Sequence, residues 1–400
     1  MLAAVLGNAS PKKTSALLKL LRSLAVIISP AICSVALADE EPRADTDREL
    51  KFTAGLVVTE QYNDNIFATR TNKTPDGITV ISPAVNLLLR DSVSNINLGA
   101  TGVFSIYQEF TSEDTQDYDL YTNGRFQLSP ATLFVAGGGY ARRHEDRSSP
   151  DEVFGEGPTV YYDTSAYAAI RQKSGPNTVK LGGTYNYLNF RDASGLFGPI
   201  NNDDRDRDVA TTGVLFSREL NPTHVTFAEL GYDLRNYRLP FDDFGFDRDS
   251  QGVRANVGLR SRLSNSLETE AYGGVIYQNY DDAQFNTVVS PDFGGRLTWT
   301  PVPGLNVQAN VDRAVRETTI RDASGYLQTR ASLSFVQWLR PDVRLNGGLG
   351  YYDNDYQDIA RHDEVKEAWL AIRRYVTPHY YFGANYVYTS RESTELREEY

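Results

Sequence analysis

The feature that most restricts this chain is a two-residue alternation of apolar and polar side chains that recurs from Phe52 to Thr389. From Val179 one parity reads Val179, Leu181, Gly183, Tyr185 and Tyr187, and the other Lys180, Gly182, Thr184 and Asn186. Leu305, Val307, Ala309 and Val311 alternate in the same way with Asn306, Gln308, Asn310 and Asp312. Val343, Leu345, Gly347, Leu349 and Tyr351 alternate with Arg344, Asn346, Gly348, Gly350 and Tyr352. Ile96, Leu98, Ala100, Phe104 and Ile106 oppose Asn97, Thr101, Ser105 and Tyr107. Successive side chains of a strand point to opposite faces, so a period of two predicts β-strands. These runs are longer than the ~5–6 residues usual for strands of soluble sheets.

Tight-turn residues punctuate the runs at Ser94, Pro130, Pro176, Pro222, Asn265, Pro303, Pro341 and Pro378. Between them lie longer acidic or Gly-rich stretches: Glu145–Pro158, Asp192–Asp208, Pro240–Ser250, Glu317–Gly325 and Asp353–Asp363. The unit is therefore strand, long loop, strand, short turn. A repeat of about forty residues also suits a β-propeller, but each period here holds two long strands, and no Gly-His…Trp-Asp signature recurs. A β-sandwich or β-helix predicts no regular alternation of short and long connections. A transmembrane barrel does: its strands of ~9–11 residues are apolar toward lipid and polar inward, with short periplasmic turns and long external loops. Lipid offers backbone groups no partners, so the strands must pair in a ring. Tyr140, Tyr187, Tyr232, Tyr280, Tyr351 and Tyr388 fall near loop ends and Trp299 and Trp338 near turn ends, as interfacial aromatic girdles require.

A first strand at Phe52–Glu60 followed by the eight turns gives seventeen strands. Single-chain bacterial barrels have an even number, so the expected fold is an all-β, antiparallel up-and-down barrel of about eighteen strands with seventeen present. An alternating closing strand, roughly 10–20 residues long, is expected beyond Tyr400.

The N-terminus reads as a leader. Lys12, Lys13, Lys19 and Arg22 precede an apolar segment from Leu24 to Leu37, and Ala36-Leu37-Ala38 supplies a small-x-small cleavage sequence before Asp39. Pro30 stands where a lipobox would want Leu, which argues against a lipoprotein anchored at Cys33. The expected organisation is a signal peptide at 1–38, a periplasmic linker at 39–51 and a barrel at 52–400. Removing the leader takes the formal charge from −12 to −16, which argues against nucleic-acid partners. It also removes Cys33 and Met1, the only cysteine and methionine, leaving no sulfur chemistry.

The first mature strand closes on Thr59-Glu-Gln-Tyr-Asn-Asp-Asn-Ile-Phe67. This element, followed by hairpins of Tyr-, Gly- and Asn-rich strands, resembles the family called Putative beta-barrel porin 2. The resemblance implies an outer-membrane barrel of the Gram-negative envelope, associated with exopolysaccharide or capsule export, and brings no catalytic residue.

No constellation points to an enzyme or a cofactor. His144, His224, His362 and His379 lack metal-ligand spacing, and no Gly-x-Ser-x-Gly elbow or phosphate loop occurs. The acidic stretches Asn201–Asp208, Asp242–Asp249 and Asp353–Asp355 offer oxygen ligands but no EF-hand pattern, and they read as solvated outer loops near lipopolysaccharide. Assigning the apolar parity to lipid puts Arg125, Lys180, Arg235, Arg254, Arg260, Arg330, Arg344 and Arg374 in the lumen. Asn97, Asn123, Asn186, Asn256, Asn306, Gln308, Asn310 and Asn346 join them, with Tyr107, Tyr121 and Tyr352. Amides and phenols suit sugar hydroxyls and faces, and Arg suits anionic substituents. Glu229, Asp233, Glu268, Glu270 and Asp312 share that face and could instead neutralise the arginines. The leading expectation is a non-enzymatic channel exporting polysaccharide delivered by periplasmic proteins. The alternatives are a general or oligosaccharide-specific diffusion porin, and a structural or adhesive barrel binding surface polymer.

Overall fold

The computed structural model describes residues 3–5, 48–153, 155–195, 198–395 and 399–400. The cleavage sequence, Cys33, the basic leader residues and most of the expected linker lie outside the described residues.

Among the described residues, seventeen long strands carry the fold: β1 (Glu49–Asn63), β2 (Asp76–Arg90), β3 (Ser94–Tyr107), β4 (Thr115–Ser129), β5 (Thr132–His144), β6 (Val160–Ser174), β7 (Asn177–Phe190), β8 (Arg207–Asn221) and β9 (His224–Tyr237) come first. They continue as β10 (Ser250–Ser264), β11 (Leu267–Tyr280), β12 (Val288–Trp299), β13 (Leu305–Arg316), β14 (Tyr326–Arg340), β15 (Val343–Tyr356), β16 (His362–Tyr375) and β17 (Tyr381–Ser393). Each pairs antiparallel with its neighbours in sequence, in one sheet. β1 and β17 do not pair with each other; the segment Ala3–Val5 runs antiparallel to Val57–Thr59 of β1 and close to β17. The turns fall where the sequence put them. β1 begins at Glu49, taking the last three residues of the expected linker, and β15 runs to Tyr356, so Asp353-Asn-Asp355 is strand rather than loop.

Burial is inverted relative to a soluble protein. Leu181 and Leu349 are 53% and 58% exposed, while Gln278 and Asp363 are 1% and 0% exposed. That is the partition a lipid-facing wall requires. Tyr140, Tyr232 and Tyr388 stand outward near the loop ends, and Trp299 and Trp338 are exposed near the turn ends. Tyr280 departs from the girdle. Its ring is buried with Phe246, Ile276, Phe285, Val288, Val315 and Leu327 in a small apolar core at the loop end of the barrel.

The outer loops are interlocked rather than solvated. Asp204, Arg205, Asp206, Asp242 and Arg248 are all buried. Arg205 pairs with Glu145 at 2.7 Å, and Asp206 accepts from Asn189 and from the Phe190 amide, each at 2.6 Å. The stretch 145–159 reaches across to 317–325: Asp151 accepts from Thr318 Oγ1 at 2.5 Å and from the Thr319 amide at 3.0 Å. Arg391 of β17 donates to the Ser148 carbonyl. Loops from distant parts of the ring therefore meet over the outer mouth.

One ladder is short. β12 pairs with β11 along its whole length, from Val288 to Trp299. With β13 it pairs only from Gly295 to Trp299, against Val307–Val311.

Candidate functional site: the barrel interior

The interior wall differs in the share of amide and charge around its circumference. On β2–β7 the inward parity mixes amides, phenols, hydroxyls and glycines with charges such as the Arg143–Asp119 pair at 2.7 Å. Asn86 Nδ2 donates to Asn97 Oδ1 at 2.5 Å and to Tyr121 Oη at 3.4 Å. Tyr167 Oη donates to Asn123 Oδ1 at 2.7 Å, and Asn186 Nδ2 to Asp163 Oδ1 at 3.2 Å. Two of these phenols cover glycines of the adjacent strand. A Cβ on Gly99 would sit 2.2 Å from Tyr121 Cζ, and one on Gly137 2.6 Å from the Tyr167 ring. Only the absence of a side chain lets each phenol occupy the space over its glycine.

The wall from β9 to β16 carries charge, and that charge is paired. Arg254 Nε lies 2.9 Å from Asp292 Oδ2, which also accepts from Asn256 Nδ2 at 2.7 Å. Arg260 Nε donates to Glu270 Oε2 at 2.7 Å. Arg235 pairs with Asp233 at 2.9 Å and with Glu317, and Tyr237 Oη donates to Glu317 at 2.7 Å. The Arg330 guanidinium lies 5.4 Å from the Tyr352 ring centroid, and Tyr352 Oη donates to Glu367 at 3.1 Å. Desolvated ions persist in such a wall when each meets an opposite charge.

The expected lumen residues fall as follows. Arg125, Lys180, Asn186, Tyr107 and Tyr121 share the inward parity of β3–β7. Asn306, Gln308 and Asn310 line the inward face of β13, with Asn310 accepting from Arg296 at 3.2 Å and Asn306 donating to Thr300 at 3.3 Å. Arg344, Asn346 and Tyr352 are buried on β15. Arg254 and Arg260 face inward but are held by Asp292 and Glu270, so they do not offer free positive charge. Arg374 is a correction: it shares the outward parity of Leu370 and Ile372 and sits 3.7 Å from Asp342 at the turn end. Asn86, Tyr167 and Asp292 escaped the sequence reading, although each stands on the polar parity of its strand.

With this architecture in place, residues 52–400 match the family model described as Putative beta-barrel porin 2. The chain belongs to this family. It is an outer-membrane β-barrel of porin type. No curated protein matches the sequence. Among solved structures, it is similar to the siderophore receptor PirA from Pseudomonas aeruginosa, 9% identical over 86% of this chain and 65% of that one, with a TM-score of 0.43. PirA from Acinetobacter baumannii is 7% identical over 87% and 74%, with a TM-score of 0.49. The alcaligin receptor FauA from Bordetella pertussis is 10% identical over 88% and 62%, with a TM-score of 0.42. The chain thus spans just under two thirds of the P. aeruginosa receptor's length.

Two loop groups show how charge is held at the outer mouth. Burial opposes the charge of Arg147, but Glu113 at 2.6 Å and Glu152 at 2.7 Å more than offset it, and its pKa lies above the ordinary value. Burial, with Asp243 beside it, raises the pKa of Asp204.

Proposed function

We propose that the barrel passes saccharide chains, with export of a polysaccharide across the outer membrane as its role. The observation that carries this reading is a patch on the wall of β2–β6 where Tyr121 and Tyr167 lie over Gly99 and Gly137 beside Asn86, Asn97 and Asn123. Flat aromatic faces meet the C–H faces of pyranose rings, while amides donate to and accept from hydroxyls. Weak, repeated contacts of this kind guide a hydrated polymer without trapping it. The interlocked loops over the mouth favour a gated passage over a freely diffusing pore.

The test is planar-bilayer conductance with a neutral oligosaccharide added. Transient blocks by the sugar, lost in the Tyr121→Ala/Tyr167→Ala protein with unchanged open conductance, support the reading. Equal block in both proteins overturns it. Loss of surface polymer from cells lacking the protein would support export; unchanged polymer would leave an uptake porin.

A further inference from the structure

The short β12–β13 ladder leaves a seam in the wall, and its chemistry points to a ligand. If the register Gly295↔Val311 continued outward, Phe293 would face Arg313 and Pro291 would face Val315. Neither pair forms. The Arg313 carbonyl is taken instead by the Arg254 guanidinium, and the Val315 carbonyl by Arg235 at 3.4 Å, both reaching across the interior. Pro291 has no N–H to give the seam, so the rung to Val315 cannot form. On the lumen side the opening is sealed by Arg254, Asp292 and Arg235.

On the lipid side it is not. Val289, Pro291 and Phe293 face outward, with Val289 66% and Phe293 39% exposed. Arg313 shares the outward parity of Val311, and its guanidinium rests 5.5 Å from the Phe293 ring centroid. No carboxylate pairs with it among the described residues, and its buried Nε has no hydrogen-bond partner. Val311 is linked through Ala331 to Tyr351, a tyrosine near the loop end, so Arg313 lies about 7 Å further outward along its strand, toward the headgroups. An arginine at a membrane interface reaches the headgroup layer, where anionic phosphates are the groups that meet it. Arg is the side chain best shaped to hold a phosphate by forked hydrogen bonds.

We propose that the splayed outer half of the β12–β13 seam binds a phosphorylated lipid of the surrounding leaflet, with Arg313 holding the phosphate and the outward-facing Phe293, Leu297 and Val311, level with it or on its membrane side, receiving an acyl chain. The purified barrel is titrated in detergent with phosphatidic acid, with diacylglycerol of the same chains and with inorganic phosphate, and bound species are counted by native mass spectrometry. Phosphatidic acid should bind in preference to the other two. Arg313→Gln should weaken it about tenfold, the size of one lost charge-assisted hydrogen bond, whereas Arg321→Gln in the outer loop should not. Pro291→Val restores the missing donor and should weaken binding as well by letting the seam zip. Equal retention of phosphatidic acid and diacylglycerol, or undiminished binding in both seam variants, would overturn the proposal. Inorganic phosphate binding as well as the lipid would also overturn it, because the site would then be a free-anion site.

Discussion

The phenol of Tyr121 occupies the space that a side chain on Gly99 would need, and the Tyr167 phenol does the same at Gly137, but the two sites differ in what else is close. Around Gly99 the three nearest atoms are all in the Tyr121 ring and hydroxyl. At Gly137 the Thr122 carbonyl oxygen would lie 2.4 Å from the new Cβ, nearer than the ring. Gly99→Ala should therefore swing Tyr121 into the lumen and break its 3.4 Å contact with Asn86 while costing little stability. Gly137→Ala must also displace backbone, at about 1–3 kcal/mol. Melting temperatures and oligosaccharide block compared between the two variants check this: the first should lose block alone, the second block and stability together.

A second expectation concerns the loops over the mouth. Arg248 is 3% exposed, and its Nε donates to Asp242 at 2.6 Å. Its other nitrogens donate to the carbonyls of Thr318 at 2.6 Å, Ala323 at 2.8 Å and Ile320 at 3.2 Å. One side chain thus holds the stretch 238–249 onto 317–325. Arg248→Ala leaves a buried carboxylate and three carbonyls without their donor, a local cost of about 3–5 kcal/mol. Both stretches should become protease-sensitive, and single-channel conductance should rise. Unchanged conductance with cleaved loops would show that they do not gate the path.

Asp204 gives a pH dependence of definite sign. Its pKa is raised in the fold above the ordinary 3.8, chiefly by burial and then by Asp243. The folded protein therefore binds this proton more tightly than the unfolded chain, and stability from this group falls as pH rises from 3.8 through the raised value. Asp204→Asn removes that penalty. It should raise the melting temperature at neutral pH and give no gain below pH 3.8. A gain that persists in acid would mean that the amide makes a better contact rather than removing a charge.

Much of the fold was legible because lipid imposes a rule that a single sequence displays: one parity apolar, one polar, turns at fixed places. Pro176 and Pro222 mark their turns, and Val179 to Tyr187 has the facing that the alternation gives it. The misreadings come where nearness to a loop end stood in for parity, or where loops pair with one another. Tyr280 looked like a girdle residue but shares the inward parity of Gln278, and it packs on Phe285 and Phe246 in the apolar core under the folded loops. Asp206 and Arg205 looked solvated, yet their partners Asn189 and Glu145 come from other segments, and pairing between loops has no periodic signature. Pro291 was the one visible hint of the β12–β13 seam. Proline inside an alternating run marks a missing rung, but only the register shows which neighbour loses it.

The last expectation separates the two lumen arginines that sequence alone could not tell apart. Both lie on the inward face of β10, and both meet a carboxylate. The Asp292 side chain is fully buried and Arg254 is 12% exposed, whereas the Arg260 and Glu270 side chains are 51% and 29% exposed. Breaking a buried pair by removing one partner costs about 3–5 kcal/mol, because the remaining charge is stranded. Arg254→Gln should therefore destabilise strongly, and more so because the Arg313 carbonyl at the seam loses its donor. Arg260→Gln strands nothing that water in the lumen cannot reach, and exposed pairs contribute only about 0–1 kcal/mol. Its effect should appear in conduction: Glu270, freed of its partner, should shift ion selectivity toward cations while the melting temperature stays near that of the parent. Melting curves and reversal potentials of the two variants decide the matter. Equal destabilisation by both would place Arg260 in the packed wall rather than along the water-filled path.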